Sequence, residues 1–164
     1  METALIEYGN FLVAGVTINA TPQSDFPAVW RELEEHLEGL SEQQRAGVAR
    51  AQRVGVMMPD AADTDFTYTA GFMVGSIAEV SALGLTGVIV PDSMYATVLV
   101  EGPVPEPIKP GFEYLQGTFI PQKGLEPTGV NLEVYGPGDV RAEDYRMYLW
   151  SAVTGMSAED VLGG

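Results

Sequence analysis

Residues 66–74 read Phe66-Thr67-Tyr68-Thr69-Ala70-Gly71-Phe72-Met73-Val74. β-Branched and aromatic side chains over this length, with an Asp-rich stretch before them and a glycine after, have the composition of a strand. At a period of two, Phe66, Tyr68, Ala70, Phe72 and Val74 share one face, and Thr67, Thr69, Gly71 and Met73 the other. Immediately upstream, Pro59-Asp60-Ala61-Ala62-Asp63-Thr64-Asp65 reads as a hairpin loop leading back to a partner strand over 53–58.

Working outward, the clearest helix lies over residues 25–39. Phe26, Val29, Trp30, Leu33, Leu37 and Leu40 recur at helical spacing, with glutamates between them. Ser24 is the expected N-cap, with Asp25 and Pro27 in the first turn. Residues 41–52 read as a short helix or a loop, and 4–18 as extended chain bent at Gly9-Asn10. Residues 75–87 are ambiguous. Strands follow over 87–90 and 94–100, then a proline-rich turn and a poorer helix over 112–119 that Pro121 and Gly124 should stop. Strands over 130–135 and 145–153 flank a Gly136-Pro137-Gly138-Asp139 turn. Strand, helix, strand, strand thus occurs twice, over 4–74 and 87–153. The expected class is α+β: a tandem βαββ repeat within one domain over 1–156, with a polar tail over 157–164. Its antiparallel sheet carries helices on one face and leaves the other open for a ligand cleft.

An open face should be polar, and these strands are not. In the last strand Tyr145, Met147 and Leu149 oppose Arg146, Tyr148 and Trp150; in the one before, Leu132 and Val134 oppose Asn131, Glu133 and Tyr135. Both faces carry bulk, and aromatics mixed with the single carboxylate of Glu133 suit a ligand cleft with flat walls and a polar anchor. The plainer alternative is a two-layer core with aromatic rims and an exposed Glu133.

Four segments in order resemble the GyrI-like effector-binding family. Phe66-Thr67-Tyr68-Thr69-Ala70-Gly71 is similar to that family's F-x-Y-x-A-G strand, and Met94-Tyr95-Ala96-Thr97 after Val90-Pro91 to its Y-A segment. Phe119-Ile120-Pro121 stands at the W-L-P position with Phe for Trp, and Leu132-Glu133-Val134-Tyr135 matches L-E-x-Y. The likeness extends to the first helix and its Trp30. It implies paired βαββ units about a pseudo-twofold axis, a cleft, and a glutamate in an aromatic pocket facing cationic ligands, a role that falls on Glu133. Tyr68, Tyr95, Phe119, Tyr135, Tyr148 and Trp150 are the aromatic candidates beside it. The family also holds hydrolases of strained, cyclopropane-bearing electrophiles, which would use Glu133 as general base and Tyr95 as proton donor, and a gyrase inhibitor, which would need an acidic patch for a protein partner. The leading expectation is a stand-alone binder of a hydrophobic or cationic aromatic small molecule.

Other chemistry finds little support in the residues. There are no cysteines, which excludes a disulfide framework and thiol catalysis. His36, the only histidine, sits among glutamates on the strong helix and reads as a boundary residue. Asp60, Asp63 and Asp65 lack the glycine and terminal glutamate of a calcium loop. No cofactor and no metal are expected. Met1-Glu2-Thr3-Ala4 carries no basic region of a signal peptide, no apolar run spans a membrane, and the first helix begins too early for a DNA-binding domain to precede it, so the expected setting is the cytoplasm, without membrane contact.

Charge completes the reading. Eight Lys+Arg stand against 23 Asp+Glu, a net charge of −15, and only Arg45, Arg50 and Arg53 cluster. Duplex binding requires several cations to displace counterions. In fluorescence anisotropy at physiological salt the protein should leave duplex DNA unbound; saturable micromolar binding there would contradict this reading.

Overall fold

The computed structural model describes residues 2–60 and 65–155. In chain order its elements are β1 (Thr3–Tyr8), β2 (Phe11–Ala20), α1 (Phe26–Glu38), α2 (Glu42–Ala49), β3 (Arg53–Pro59), β4 (Phe66–Val74), α3 (Ile77–Leu83), β5 (Thr86–Val90) and β6 (Ser93–Glu101). A continuous helical stretch, α4, then runs as Ile108–Tyr114, a π-turn over Leu115–Phe119 and a last turn Ile120–Gln122, followed by β7 (Glu126–Tyr135) and β8 (Arg146–Thr154). The chain forms two compact units: residues 10–91, and residues up to 9 together with those from 92 onward.

In the 10–91 unit the strand order is β3-β4-β2-β5, every neighbour antiparallel. In the other it is β1-β6-β8-β7, again antiparallel. Each unit is an α+β layer pair built on β-α-β-β, with one further edge strand. The edge strands come from unexpected places. The sequence repeat grouped residues 4–8 with the first half, yet β1 pairs with β6, Ile6 opposite Tyr95. β5, which leads into β6, pairs instead with β2, Val88 opposite Val13. Neither the Gly9-Asn10 bend nor Pro91-Asp92 closes a hairpin.

One face of each sheet bears the helices. In the 10–91 unit Ala14, Phe72, Leu33, Leu37, Val48, Val80 and Leu83 form one buried cluster, and Ala20, Val29, Tyr68 and Ala70 another. In the other unit Ala96, Val98, Val100, Met147, Leu149 and Val153 meet Leu115, Phe119 and Ile120 of α4. The strand residues in these sets alternate at a period of two, as a half-covered sheet requires. The opposite rows are apolar as well: Val13, Val54, Val56 and Leu132 are all buried.

Local chemistry explains most boundaries and corrects some expectations. Asp25, not Ser24, caps α1, its carboxylate accepting from the Ala28 N–H at 3.2 Å. The Ser24 hydroxyl is engaged by the Thr21 N–H at 2.9 Å, inside the preceding turn. A reciprocal box between Ser41 and Gln44 starts α2. Ser76 caps α3, and Gly84 at φ +68° ends it. Pro121 does not stop α4. The Ile120 N–H reaches back five residues to the Leu115 carbonyl, and a widened turn just before a proline is how a helix accommodates a ring that would strike the carbonyl four residues back. Gly124, at φ +69°, ends the helix as expected. β7 starts four residues earlier than expected: Glu126 and Pro127 already pair with β8, and a bulge over residues 128–130, with Gly129 at φ +100°, separates them from the rest of the ladder. Tyr145 lies just outside β8; its hydroxyl donates to the Gly136 carbonyl at 2.7 Å and fastens the turn between β7 and β8.

Gly15 and Gly71 face each other across β2 and β4. A Cβ on Gly71 would strike the Ala14 carbonyl oxygen and lie 2.9 Å from Val13 Cγ1; one on Gly15 would strike the Ala70 carbonyl oxygen. The central strands of this unit therefore approach more closely than any side chain allows. Gly71→Ala should destabilise the fold by about 2–4 kcal/mol. Gly47→Ala, inside α2 where a Cβ meets nothing within 4 Å, should instead stabilise it by about 0.5–1 kcal/mol. Urea midpoints measure both; an unchanged midpoint for Gly71→Ala would contradict the close approach.

Candidate functional site

The register of β7 on β8 decides where Glu133 lies. Leu132 faces Trp150, Glu133 faces Leu149, Val134 faces Tyr148 and Tyr135 faces Met147. Directly opposed residues share a face. Glu133 and Tyr135 therefore lie on the side of Met147 and Leu149, which α4 covers, and not with Tyr148 and Trp150, where the sequence had grouped them. The grouping failed because strand alternation gives two sets per strand but not which set of one strand joins which set of the next; that depends on the length of the turn.

Glu133 is only 4% exposed. The Tyr135 hydroxyl donates to its Oε1 at 3.0 Å. A carboxylate this dry is costly unless hydrogen bonds or an opposite charge compensate it. One position back along the same face, the Asn131 Oδ1 accepts from Ser151 Oγ at 2.6 Å and from Gln116 Nε2, on the π-turn of α4, at 3.2 Å. Asn131, Ser151 and Gln116 do not stand out as site residues in the sequence, because polar residues among strand and helix positions carry no periodic signal.

The aromatic candidates divide between the two faces and the two units. In the 10–91 unit Tyr68 is fully buried on the helix-bearing face. Its hydroxyl accepts from Trp30 Nε1 at 2.7 Å, and its ring lies 4.7 Å from that of Phe26, with Phe66 beyond. Met57 stands opposite it on β3. In the other unit Phe119 is part of the helix-covered core, with Lys123 Nζ 5.6 Å above its ring. Tyr95, Trp150 and Tyr148 occupy the other face of β6 and β8. The Trp150 ring lies 5.2 Å from Tyr95 and 5.3 Å, edge-on, from Tyr8. Tyr148 is 46% exposed. Tyr95 and Glu133 thus point to opposite sides of one sheet and do not assemble into a shared acid–base pair.

His36 ties two helices together. Its Nε2–H donates to the Leu83 carbonyl at 2.6 Å, joining α1 to the end of α3. Arg53 pairs with Glu34, joining β3 to α1. Asp60 lies beside the β3–β4 loop, while Asp63 falls outside the described residues. No helix among the described residues is long and apolar enough to cross a membrane.

Burial, followed by the Asp92 carboxylate, pushes the Tyr95 phenol up to about 12 from its usual 10.0. The folded chain thus holds the phenol protonated where the unfolded chain ionises it. The stability involved is intact below about pH 10 and is lost as pH climbs toward about 12. Urea melts near pH 8 and near pH 11 should show a smaller alkaline loss for Tyr95→Phe than for the wild type; equal losses would contradict the assignment.

The sequence model of Cass2, described as integron-associated effector binding protein, matches residues 4–153. No curated protein sequence matches the chain. Among solved structures, SAV2435 bound to tetraphenylphosphonium is 17% identical, covering 94% of this chain and 95% of that one, with a TM-score of 0.75. The integron cassette protein VCH_CASS2 from the mobile metagenome of Vibrio cholerae is 15% identical over 93% of this chain and 95% of that one, with a TM-score of 0.68. A hydrolase from Listeria innocua is 13% identical over 93% of this chain and 92% of that one, with a TM-score of 0.58. At these identities the three likenesses establish the fold, and the family match, spanning most of the sequence, establishes the lineage. The chain belongs to the Cass2 family of integron-associated effector-binding proteins.

Proposed function

We propose that this protein binds a hydrophobic aromatic cation on the helix-bearing face, with Glu133 as its counter-charge. The observation that carries this reading is a carboxylate held 4% exposed beside the Tyr135 hydroxyl, on a helix-covered face whose buried side chains are mainly apolar. A cation brought in by a ligand would be drawn to this carboxylate more strongly than in bulk water, because attraction between the two strengthens as water is excluded. Nearby rings add on the order of 0.5–2 kcal/mol each when a cation lies over their faces. The family supports the reading, as does SAV2435, whose bound tetraphenylphosphonium is a cation wrapped in phenyl rings.

The hydrolase reading loses the proton donor the sequence assigned to it, because Tyr95 lies on the opposite side of the sheet from Glu133. The phenol on the same side is that of Tyr135, which already donates to the carboxylate.

Glu133→Gln keeps the shape and removes the charge. Tetraphenylphosphonium binding, followed calorimetrically, should weaken by about 1.5–3 kcal/mol, while neutral triphenylphosphine oxide should bind both proteins alike. Equal loss for both probes would mean that the residue shapes the site without supplying charge. No change for either would remove it from the site.

A further inference from the structure

Two backbone irregularities of the unit that carries Glu133 meet at one side chain. Asn131 is the first ladder residue after the β7 bulge, and Gln116, which bonds it, sits on the π-turn of α4. Bulges re-aim side chains, and π-turns recur at functional sites. Asn131 is half-buried, on the same face as Glu133 and Tyr135. Successive positions on one strand face stand about 7 Å apart.

The orientation of the Asn131 amide follows from its neighbours. Ser151 is fully buried, and among the described residues Asn131 is the one hydrogen-bond partner of its hydroxyl. A buried hydroxyl must place its proton on an acceptor, so the Asn131 oxygen faces Ser151. Gln116 Nε2 donates to that same oxygen. Both bonds hold the oxygen, and the Nδ2 amide protons take part in neither. The result is a hydrogen-bond donor fixed in direction from behind, one position along the strand from the carboxylate.

We propose that Asn131 is a specificity-determining contact of the ligand site: its Nδ2–H donates to a carbonyl, ester or ether oxygen carried by the ligand, about 7 Å from the ligand's positive centre. This rests on the reading of Glu133 as counter-charge and adds to it a ligand class, cations that also bear an acceptor oxygen. Ser151 and Gln116 are positioning residues, acting on the ligand only through Asn131.

Two phosphonium cations of nearly equal shape test it: (4-acetylbenzyl)triphenylphosphonium, which carries the acceptor, and (4-isopropylbenzyl)triphenylphosphonium, which does not. The wild type should bind the acetyl compound about three- to tenfold more tightly. Asn131→Asp keeps an oxygen toward Ser151 and Gln116 but turns the donor into an acceptor. It should abolish the preference while binding both cations at least as well. The Asn131→Leu, Ser151→Ala double variant removes the polar pair together, leaving no orphaned hydroxyl, and should bind the two cations within about twofold of each other. Glu133→Gln should weaken both and keep their ratio. Absence of the acetyl preference in the wild type, or its survival in both Asn131 variants, would overturn the proposal for Asn131 while leaving Glu133 in place. Failure of both cations to bind, or indifference of both to Glu133→Gln, would overturn the counter-charge reading and this one with it.

Discussion

The pairing of β7 with β8 is the constraint from which the chemistry of this protein follows. A strand has two faces and a period of two, so slipping the pair by one residue would exchange every side chain between them. As paired, the ladder places Leu132 and Val134 with Trp150 and Tyr148, and sends Asn131, Glu133 and Tyr135 to the side that α4 covers. The register is held at both ends. Tyr145 bonds the Gly136 carbonyl across the turn, and Ser151 bonds Asn131 at the bulge. These two fastenings fix which face of the sheet Glu133 occupies.

The two units share a plan and differ in what they place on it. Both run β-α-β-β with a borrowed edge strand, and both keep helices to one face. The 10–91 unit sets Tyr68 deep against Trp30 and Phe26, three aromatic side chains joined by a hydrogen bond and ring contact. Its central strands are pressed together at Gly15 and Gly71. The other unit carries the carboxylate, amide and hydroxyl groups of the candidate site: Glu133, Asn131, Gln116 and Ser151. Its helix tolerates Pro110, Gly111, Gly117 and Pro121 within one stretch, and Gly111 lies so close to Leu149 that a Cβ there would strike it. One unit joins its aromatic side chains in its core, and the other interrupts regular geometry with a bulge and a π-turn beside its polar groups.

Much of the fold is legible in the residues. The 25–39 periodicity, the paired strands around the Asp-rich loop, and the repeated strand-helix-strand-strand order all rest on local pattern, and local pattern decides them. What is not legible is non-local. Nothing in residues 4–8 indicates β6 as their partner over the adjacent β2, because edge pairing depends on how the chain returns many residues later. The persistence of α4 through Pro121 depends on a π-turn that no propensity scale describes. For the site, the motif around Glu133 picks out the residue, but its face depends on register. Tyr95 and Trp150 are ring neighbours, as two walls of one aromatic surface would be, yet they stand on the far side of the sheet from the carboxylate. The significance of Asn131 comes from a bulge three residues wide and a helix turn fifteen positions earlier, and neither leaves a mark on its own stretch of sequence.

A crystal structure of the protein with tetraphenylphosphonium tests the counter-charge role of Glu133 most directly, because it reads the ligand's face and its distance from the carboxylate at once. The phosphorus should lie on the helix-bearing side, within about 6 Å of the Glu133 carboxylate, the range over which opposite charges act strongly on one another. A phosphonium seated instead against Tyr8, Tyr148 and Trp150, on the opposite face, would contradict it.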